Sequence, residues 1–132
     1  MDGELPVGSP TFLIVDDSAV ARRVLSFTLN GLDGSRIIEA TDGLDALKKL
    51  TKEQPDIIFV DLYMPTMDGW KLIEAIRENR DSAGVPVIII STLADEETQK
   101  RCSELGVSAF FEKPADQARL LLMVRRILYE KQ

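Results

Sequence analysis

The sequence predicts an α/β fold in which a parallel sheet is covered by helices on both faces. Five short apolar segments alternate with five longer segments of helical periodicity, as is typical of strands joined by right-handed crossover helices. The segment at 57–60 is uniformly apolar rather than alternating, which indicates a strand buried on both faces. No internal repeat or low-complexity tract interrupts the alternation.

Composition limits the classes of function. The 132 residues suit one domain, and no apolar run approaches the ~20 residues of a membrane span, so membrane insertion is not expected. With Cys102 as the single cysteine and no histidine, a disulfide framework, a zinc site and a Cys-His nucleophile are excluded. The net charge of −6 argues against direct binding of nucleic acid. We expect a cytoplasmic protein.

The first strand-helix unit follows a short lead-in. Residues 1–10 contain two Gly and two Pro without periodicity and predict a flexible N-terminal segment, so the folded domain is expected over 11–130. The apolar run 12–15 predicts a strand that ends at Asp16-Asp17-Ser18. The following helix is expected over 18–30. Its apolar residues at helical spacing predict an inward face of Val20, Val24, Phe27 and Leu25.

Two further units precede the middle of the chain. Residues 37–40 predict a second strand, and the helix after it repeats Leu44, Leu47 and Leu50 before Pro55. The third strand, 57–60, stops at Asp61. Its helix opens near Asp68-Gly69 and is expected to bury Leu72, Ile73 and Ile76.

The last two units complete the pattern. The apolar run 87–90 predicts a fourth strand that ends at Ser91-Thr92. A mostly polar helix over 95–105 has only a thin apolar face of Thr98, Cys102 and Leu105, which indicates weak anchoring. Residues 109–112 predict a fifth strand ending at Lys113-Pro114. Asp116 can cap a last helix, whose inward face is Leu120, Leu121, Val124, Ile127 and Leu128.

The candidate reactive side chains follow four of the five predicted strands, and the carboxyl ends of parallel strands meet at one edge of a sheet. We therefore expect the following residues to converge: Asp16, Asp17, Asp61, Ser91 and Lys113. Grouped carboxylates repel one another unless a cation lies among them, and an all-oxygen site suits Mg²⁺. Taken singly, each residue has a simpler interpretation: Asp17 and Asp68 as helix caps, Ser91 as a turn hydroxyl, Lys113 as a solvated lysine.

Together these residues indicate a site for phosphoryl chemistry. A metal ion and an ammonium neutralise phosphate oxygens, a hydroxyl donates to one of them, and a carboxylate can attack phosphorus. The resulting aspartyl phosphate is a reactive mixed anhydride. Such a reversible modification suits signalling better than storage.

The same residues form the signature of a known family. Asp16-Asp17, the segment DLYMPTMDG at 61–69, Ser91 after PVIII, and Lys113-Pro114 resemble the signature of response-regulator receiver domains. Ser91 follows Asp61 by 30 residues and Lys113 follows it by 52, within the spacing usual for that family. The resemblance covers about 11–129. It implies a flavodoxin-like (βα)5 sandwich with five flanking helices and strand order 2-1-3-4-5.

The resemblance also implies a function: a chemotaxis-type, stand-alone receiver of a two-component or phosphorelay system. Asp61 would accept a phosphoryl group from a histidine kinase or histidine phosphotransfer protein, and Ser91 and Lys113 would contact the phosphoryl oxygens. Beyond its own phosphorylation and slow dephosphorylation, no enzymatic activity is implied. The Lys113–Pro114 peptide is expected to be cis.

The resemblance assigns metal and switch residues as well. Asp17, Asp61 and the Tyr63 backbone carbonyl would ligate Mg²⁺, and Asp16 would act mainly through coordinated water. Switching would move Ser91 toward the phosphate and Phe110 inward, although Phe110 could also be ordinary core. A downstream target protein would read the face made by the fourth helix, fifth strand and fifth helix.

Two residues depart from the family pattern. Tyr63 and Leu93 stand two positions after Asp61 and Ser91, where polar residues commonly help to orient the hydrolytic water. We therefore expect slow self-dephosphorylation.

Three other functions compete with this interpretation. A phosphatase of the haloacid-dehalogenase type needs an acid where Tyr63 stands, and a flavin-binding flavodoxin needs a phosphate loop that the sequence lacks. The alternative that remains is a phosphorylation-independent pseudo-receiver, an interaction module that would normally have lost part of the acidic site. The sequence leaves open whether the chain acts alone or was part of a larger protein.

Overall fold

Five parallel strands form one sheet in the computed structural model, which describes residues 9–32, 34–64, 66–92 and 95–130. Most of the predicted N-terminal segment, residues 1–8, lies outside the described residues, as does Leu93. The strands are β1 Thr11–Val15, β2 Arg36–Ala40, β3 Ile57–Val60, β4 Val87–Ser91 and β5 Ala109–Glu112. Their order in the sheet is β2-β1-β3-β4-β5. The predicted α/β class, strand number and strand order are confirmed.

Each strand is followed by a helix. The helices are α1 Ala19–Leu29, α2 Gly43–Leu50, α3 Gly69–Glu78, α4 Glu96–Glu104 and α5 Gln117–Glu130. Polar side chains cap several of them, because the first amides of a helix lack partners within it. Asp68 caps α3 by accepting from the Lys71 amide at 2.9 Å, and Asp116 accepts from the Arg119 amide at 3.1 Å before α5. Among the described helices, none is long and apolar enough to cross a lipid bilayer.

Successive side chains of each strand point to opposite faces of the sheet and so pack in different layers of the core. Phe12 and Ile14 of β1 pack with residues of α1 and α5, whereas Leu13 and Val15 pack with residues of α2, α3 and α4. The neighbouring β3 follows the same alternation, since Ile14 pairs with Phe59. The sheet therefore separates an α1/α5 layer from an α2/α3/α4 layer.

The predicted inward face of α1 is wrong except for Leu25. Val20, Val24 and Phe27 are 70%, 52% and 78% exposed, and the residues that α1 buries are Leu25, Thr28 and Leu29. The two sets are separate stripes of the same helix, and only packing against the sheet and α5 decides between them. In α2, Leu44 is likewise exposed, while Ala46 takes the buried position.

The helices α3, α4 and α5 match their predicted faces. Leu72, Ile73 and Ile76 are buried in α3, and α5 buries four of its five predicted residues: Leu120, Val124, Ile127 and Leu128. Helix α4 buries only Thr98 and Cys102. The guanidinium of Arg101 lies 4.5 Å from the centre of the Trp70 ring and adds a surface contact between α4 and α3. The predicted thin anchoring of α4 is confirmed.

The corrected face of α1 predicts unequal effects of two alanine substitutions. Leu29→Ala should lower the free energy of unfolding by about 2–5 kcal/mol because it removes a fully buried side chain. Phe27→Ala, two residues earlier on the same helix, should change it by no more than about 0.5 kcal/mol. Urea denaturation followed by circular dichroism measures both. A loss at Phe27 equal to that at Leu29 would contradict the described orientation of α1.

Candidate functional site

Two buried carboxylates lie where β1 and β3 end. The sheet's hydrogen bonding continues past both strands, since the Asp61 amide donates to the Val15 carbonyl at 3.0 Å and the Asp16 amide to the Ala40 carbonyl at 3.2 Å. Following the alternation of Ile14 and Phe59, both carboxylates belong to the α1/α5 side of the sheet. The backbone of the central strands thus holds Asp16 and Asp61 side by side.

Asp17 joins them to form a cluster. One carboxylate oxygen from each of Asp16, Asp17 and Asp61 lies within 4.8 Å of the other two. Asp16 and Asp61 are 6% and 8% exposed, while Asp17 is exposed. Local amides orient the buried pair: Ser18 donates to Asp16 Oδ1 at 2.9 Å, and Tyr63 donates to Asp61 Oδ1 at 3.3 Å. Three acidic groups therefore meet at one partly buried point, as predicted.

Lys113 brings one positive charge to the cluster. Its Nζ lies 2.8 Å from Asp16 Oδ2 and 3.3 Å from Asp61 Oδ2. Its backbone amide donates to the Ser91 carbonyl at 2.7 Å, which fixes the end of β5 beside β4. The Lys113–Pro114 peptide is cis, as expected. Lys113 is thus an integral part of the site, and its interpretation as a solvated lysine is wrong.

The site carries more negative than positive charge, with three carboxylates and one ammonium. Burial and the neighbouring charge of Asp16 together raise the pKa of Asp61, against the opposing effect of Lys113. Burial lowers the pKa of Lys113, but its hydrogen bonds and charge interactions with Asp16 and Asp61 outweigh burial and raise it overall. The ammonium is therefore held charged, while the charge on Asp61 is disfavoured.

The donor set fits Mg²⁺. Carboxylate oxygens are the ligands that this ion prefers, and a divalent cation would relieve the repulsion that raises the pKa of Asp61. The exposed position of Asp17 leaves one side of the cluster open to water, and Mg²⁺ usually keeps several water ligands.

Ser91 presents an unpaired hydroxyl near this edge of the sheet. It is 0% exposed, and within the described part of the chain its Oγ has no hydrogen-bond partner. A buried hydroxyl without a partner is costly unless a ligand or water completes it. Phe110, on the neighbouring β5, is partly buried and packs on the α2/α3/α4 side. By strand alternation, Ser91 lies on that side as well.

Asp17 and Asp68 differ in their roles at the helix N-termini. Ser18, not Asp17, caps α1 by accepting from the Ala21 amide at 3.2 Å, so the role of Asp17 as a cap is wrong. Asp68 does cap α3 and takes no part in the cluster.

Arg22 and Gly69, which the sequence did not assign to the site, support the acidic pair. Arg22 Nη1 donates to the Asp16 carbonyl at 2.7 Å, and its Nε donates to Glu39 at 2.9 Å, so it ties the β1 turn to β2. A Cβ on Gly69 would lie 2.6 Å from the Asp61 carbonyl oxygen, so only glycine lets α3 begin this close to the site. The sequence indicated Gly69 as part of the Asp68-Gly69 pair at the start of a helix. No sequence pattern distinguishes Arg22 from Arg23.

Comparisons with known proteins agree with this geometry. A sequence model of the response regulator receiver domain matches residues 12–125. A protein-glutamate methylesterase/protein-glutamine glutaminase from Treponema pallidum is 40% identical over 121 residues, which are 88% of this chain and 30% of that protein. This chain therefore spans about a third of the length of that relative.

Solved structures are similar over their whole length. The chemotaxis protein CheY4 of Vibrio cholerae superposes with a TM-score of 0.83 at 29% identity, covering 91% of this chain and 99% of that one. The receiver domain of the sensor histidine kinase PA1611 from Pseudomonas aeruginosa has a TM-score of 0.82 at 25% identity and covers 92% of this chain and 99% of that one. That structure has a magnesium ion coordinated in its active-site cleft.

The raised pKa of Asp61 predicts that Asp61→Asn stabilises the metal-free protein. At neutral pH in EDTA we expect an increase on the order of 1 kcal/mol in the free energy of unfolding, because the substitution removes a disfavoured charge. A raised folded-state pKa contributes stability below the unfolded-state pKa and loses it as pH rises through the folded-state value. The advantage of the variant should therefore shrink on acidification, as Asp61 of the wild type takes up its proton.

Urea denaturation at several pH values measures this difference. Asp42→Asn is the matched control, because Asp42 caps α2 outside the cluster and asparagine caps equally well. An Asp61→Asn protein that is less stable than the wild type at neutral pH, or an advantage independent of pH, would contradict the interpretation.

Proposed function

Because the chain belongs to the response regulator receiver domain family, we propose that it is a phosphorylation-activated switch of a two-component or phosphorelay system. One observation carries the proposal: three carboxylates and one ammonium meet at the carboxyl end of the central strands. We assign residues 11–130 to the receiver domain and a cytoplasmic location to the protein. With its net charge of −6, it is not expected to contact nucleic acid directly.

Asp61 is the proposed phosphoacceptor. One of its carboxylate oxygens attacks the phosphorus of a phosphohistidine on a histidine kinase or histidine phosphotransfer protein. The O–P bond forms as the N–P bond breaks, and the electron pair returns to the imidazole nitrogen. The ammonium of Lys113, 3.3 Å from Asp61 Oδ2, is placed to neutralise a phosphoryl oxygen. The Ser91 hydroxyl, which has no hydrogen-bond partner among the described residues, supplies a donor for another phosphoryl oxygen.

Mg²⁺ is the proposed cofactor. Asp17, Asp61 and the Tyr63 backbone carbonyl would hold it, with Asp16 acting through coordinated water. When bound, the ion would neutralise charge on the phosphoryl oxygens and on the carboxylates. Lys113 neutralises one of the three carboxylates, so the cluster keeps two negative charges. A bound divalent cation would make this arrangement favourable.

The proposed output is a change on the α4, β5 and α5 face, where a downstream target protein binds. The Ser91 hydroxyl donates a hydrogen bond to the phosphoryl group and moves toward Asp61. Phe110, which lies on the same side of the sheet as Ser91, then turns inward. Helix α4 is the element that shifts between two positions, because it is weakly anchored and buries only Thr98 and Cys102. This chain's proposed catalysis is limited to its own phosphorylation and dephosphorylation.

The alternative function is a phosphorylation-independent interaction module. The complete acidic cluster and the Lys113 contacts favour the switch, since a pure binding surface needs neither.

A fluorescence titration tests the proposed phosphorylation. Trp70 is partly buried near the start of α3, so its emission should change on adding Mg²⁺ and again on adding beryllofluoride or acetyl phosphate. EDTA should reverse the first response. Asp61→Ala should lose the second response, and mass spectrometry should detect one phosphoryl group on the wild type alone.

The control is Asp42→Ala, which removes a carboxylate outside the cluster and should keep both responses. Absence of both responses and of the phosphoryl adduct in the wild type would leave the interaction module as the function.

A slow loss of the phosphoryl group is a separate prediction. Tyr63 is half exposed two residues after Asp61 and carries no carboxylate or amide to orient an attacking water, so the aspartyl phosphate should outlast seconds without a phosphatase. Tyr63→Glu should speed hydrolysis about tenfold or more. Thr66→Glu, an exposed position in the same connection, is the control. Release of inorganic phosphate from the phosphorylated protein gives the rates, and a wild-type lifetime of a few seconds would refute the prediction.

A further inference from the structure

Asp17 differs from the other two carboxylates of the cluster in how it is held. Local amides and Lys113 hold the carboxylates of Asp16 and Asp61. Asp17 is exposed, and within the described part of the chain its carboxylate has no hydrogen bond or ion pair. The position of Asp17 therefore depends on the backbone that carries it.

Arg22 fixes that backbone. Its Nη1 donates to the Asp16 carbonyl at 2.7 Å, and this carbonyl belongs to the peptide unit that joins Asp16 to Asp17. Because a peptide unit is planar, its carbonyl oxygen and the Cα of the next residue move together. A hydrogen bond that holds the oxygen therefore also sets the direction in which the chain continues to Asp17.

Arg22 is itself held by the sheet. Its Nε donates to Glu39 Oε1 at 2.9 Å, and Glu39 belongs to β2, which pairs with β1. The side chain is only 14% exposed and reaches back toward the N-terminus of α1, the direction that helical side chains favour. A planar guanidinium can serve both acceptors at once through two nitrogens, whereas the single ammonium of a lysine suits one contact.

We propose that Arg22 is a positioning residue of the proposed Mg²⁺ site, where it sets the affinity for the ion by holding Asp17 in place. Mg²⁺ tolerates little departure from its preferred ligand geometry, so a carboxylate that moves freely binds it less well. Residues that orient metal ligands without touching the metal commonly change its affinity by about 10–100-fold. The inference rests on the proposed function, because it presupposes that the cluster holds Mg²⁺.

Titration calorimetry with Mg²⁺ on the whole chain tests the inference. Arg22→Ala should weaken Mg²⁺ binding about tenfold, because the peptide before Asp17 loses its donor. Arg22→Lys keeps the charge and one donor, so its loss should be smaller than that of Arg22→Ala. If circular dichroism shows that Arg22→Ala does not fold, Arg22→Lys is the variant that decides.

The matched control is Arg36→Ala. Arg36 donates to Glu53 through two nitrogens, at 2.5 Å and 2.9 Å, at the opposite end of β2 from the acidic cluster. This substitution also removes an arginine–glutamate pair, but it should leave Mg²⁺ affinity unchanged. The comparison separates an effect on the site from a general loss of stability.

Hydrogen exchange in EDTA gives a second measurement that needs no metal. The Ser18 amide donates to Asp16 Oδ1 at 2.9 Å, within the turn that Arg22 fixes. It should exchange about threefold faster in Arg22→Ala than in Arg36→Ala, because only the first substitution loosens this turn.

Two kinds of outcome would overturn the inference and leave the proposed function intact. One is Mg²⁺ affinity equal to that of the wild type in every folded Arg22 variant, or Ser18 exchange that is the same in Arg22→Ala and Arg36→Ala. The other is an equal loss of Mg²⁺ affinity in Arg36→Ala. A wild-type protein that does not bind Mg²⁺ would instead refute the proposed metal site, and the inference with it.

Discussion

The contact of Lys113 with Asp16 and Asp61 is the interaction on which the site depends. It joins the residue after β5 to the residues after β1 and β3, at 2.8 Å and 3.3 Å. Without that ammonium, two nearly buried carboxylates would face each other with only local amides as partners, at a cost of several kcal/mol. One ammonium still leaves the cluster of three acids negative. The remaining negative charge suits the cluster to a cation, and a bound cation would in turn neutralise the oxygens of an anionic phosphoryl group.

The sheet supplies the geometry that this contact needs. Each carboxylate is held by a backbone hydrogen bond that extends its strand by one residue, from Asp61 to Val15 and from Asp16 to Ala40. Arg22 fixes the Asp16 carbonyl from the side, and Gly69 admits α3 against the Asp61 carbonyl. The site is therefore rigid where charge is concentrated. Helix α4, by contrast, is held by little apolar surface, since it buries only Thr98 and Cys102.

The sequence was sufficient for the order of the elements and for the membership of the cluster, because both follow from local patterns. A buried apolar run that stops at Asp61 is visible without knowledge of its neighbours. The inward face of α1 was not predictable in the same way: Val20, Val24 and Phe27 repeat at helical spacing, as do Leu25, Leu29 and Leu32. Only α5 and the sheet select the second stripe. The contacts of Arg22 with Asp16 and Glu39 depend on distant segments, so no spacing in the chain indicates them.

The alternation of side chains in the strands has a consequence for how such a protein diversifies. Asp61 lies on the α1/α5 side of the sheet, and Ser91 and Phe110 lie on the other. The proposed target face draws on both layers, because Cys102 anchors α4 in one layer and Leu120 and Val124 anchor α5 in the other. A substitution in the core beneath α4 therefore acts on one half of that face, and a substitution beneath α5 acts on the other half. The two halves of the face can thus diverge separately around an unchanged acidic centre.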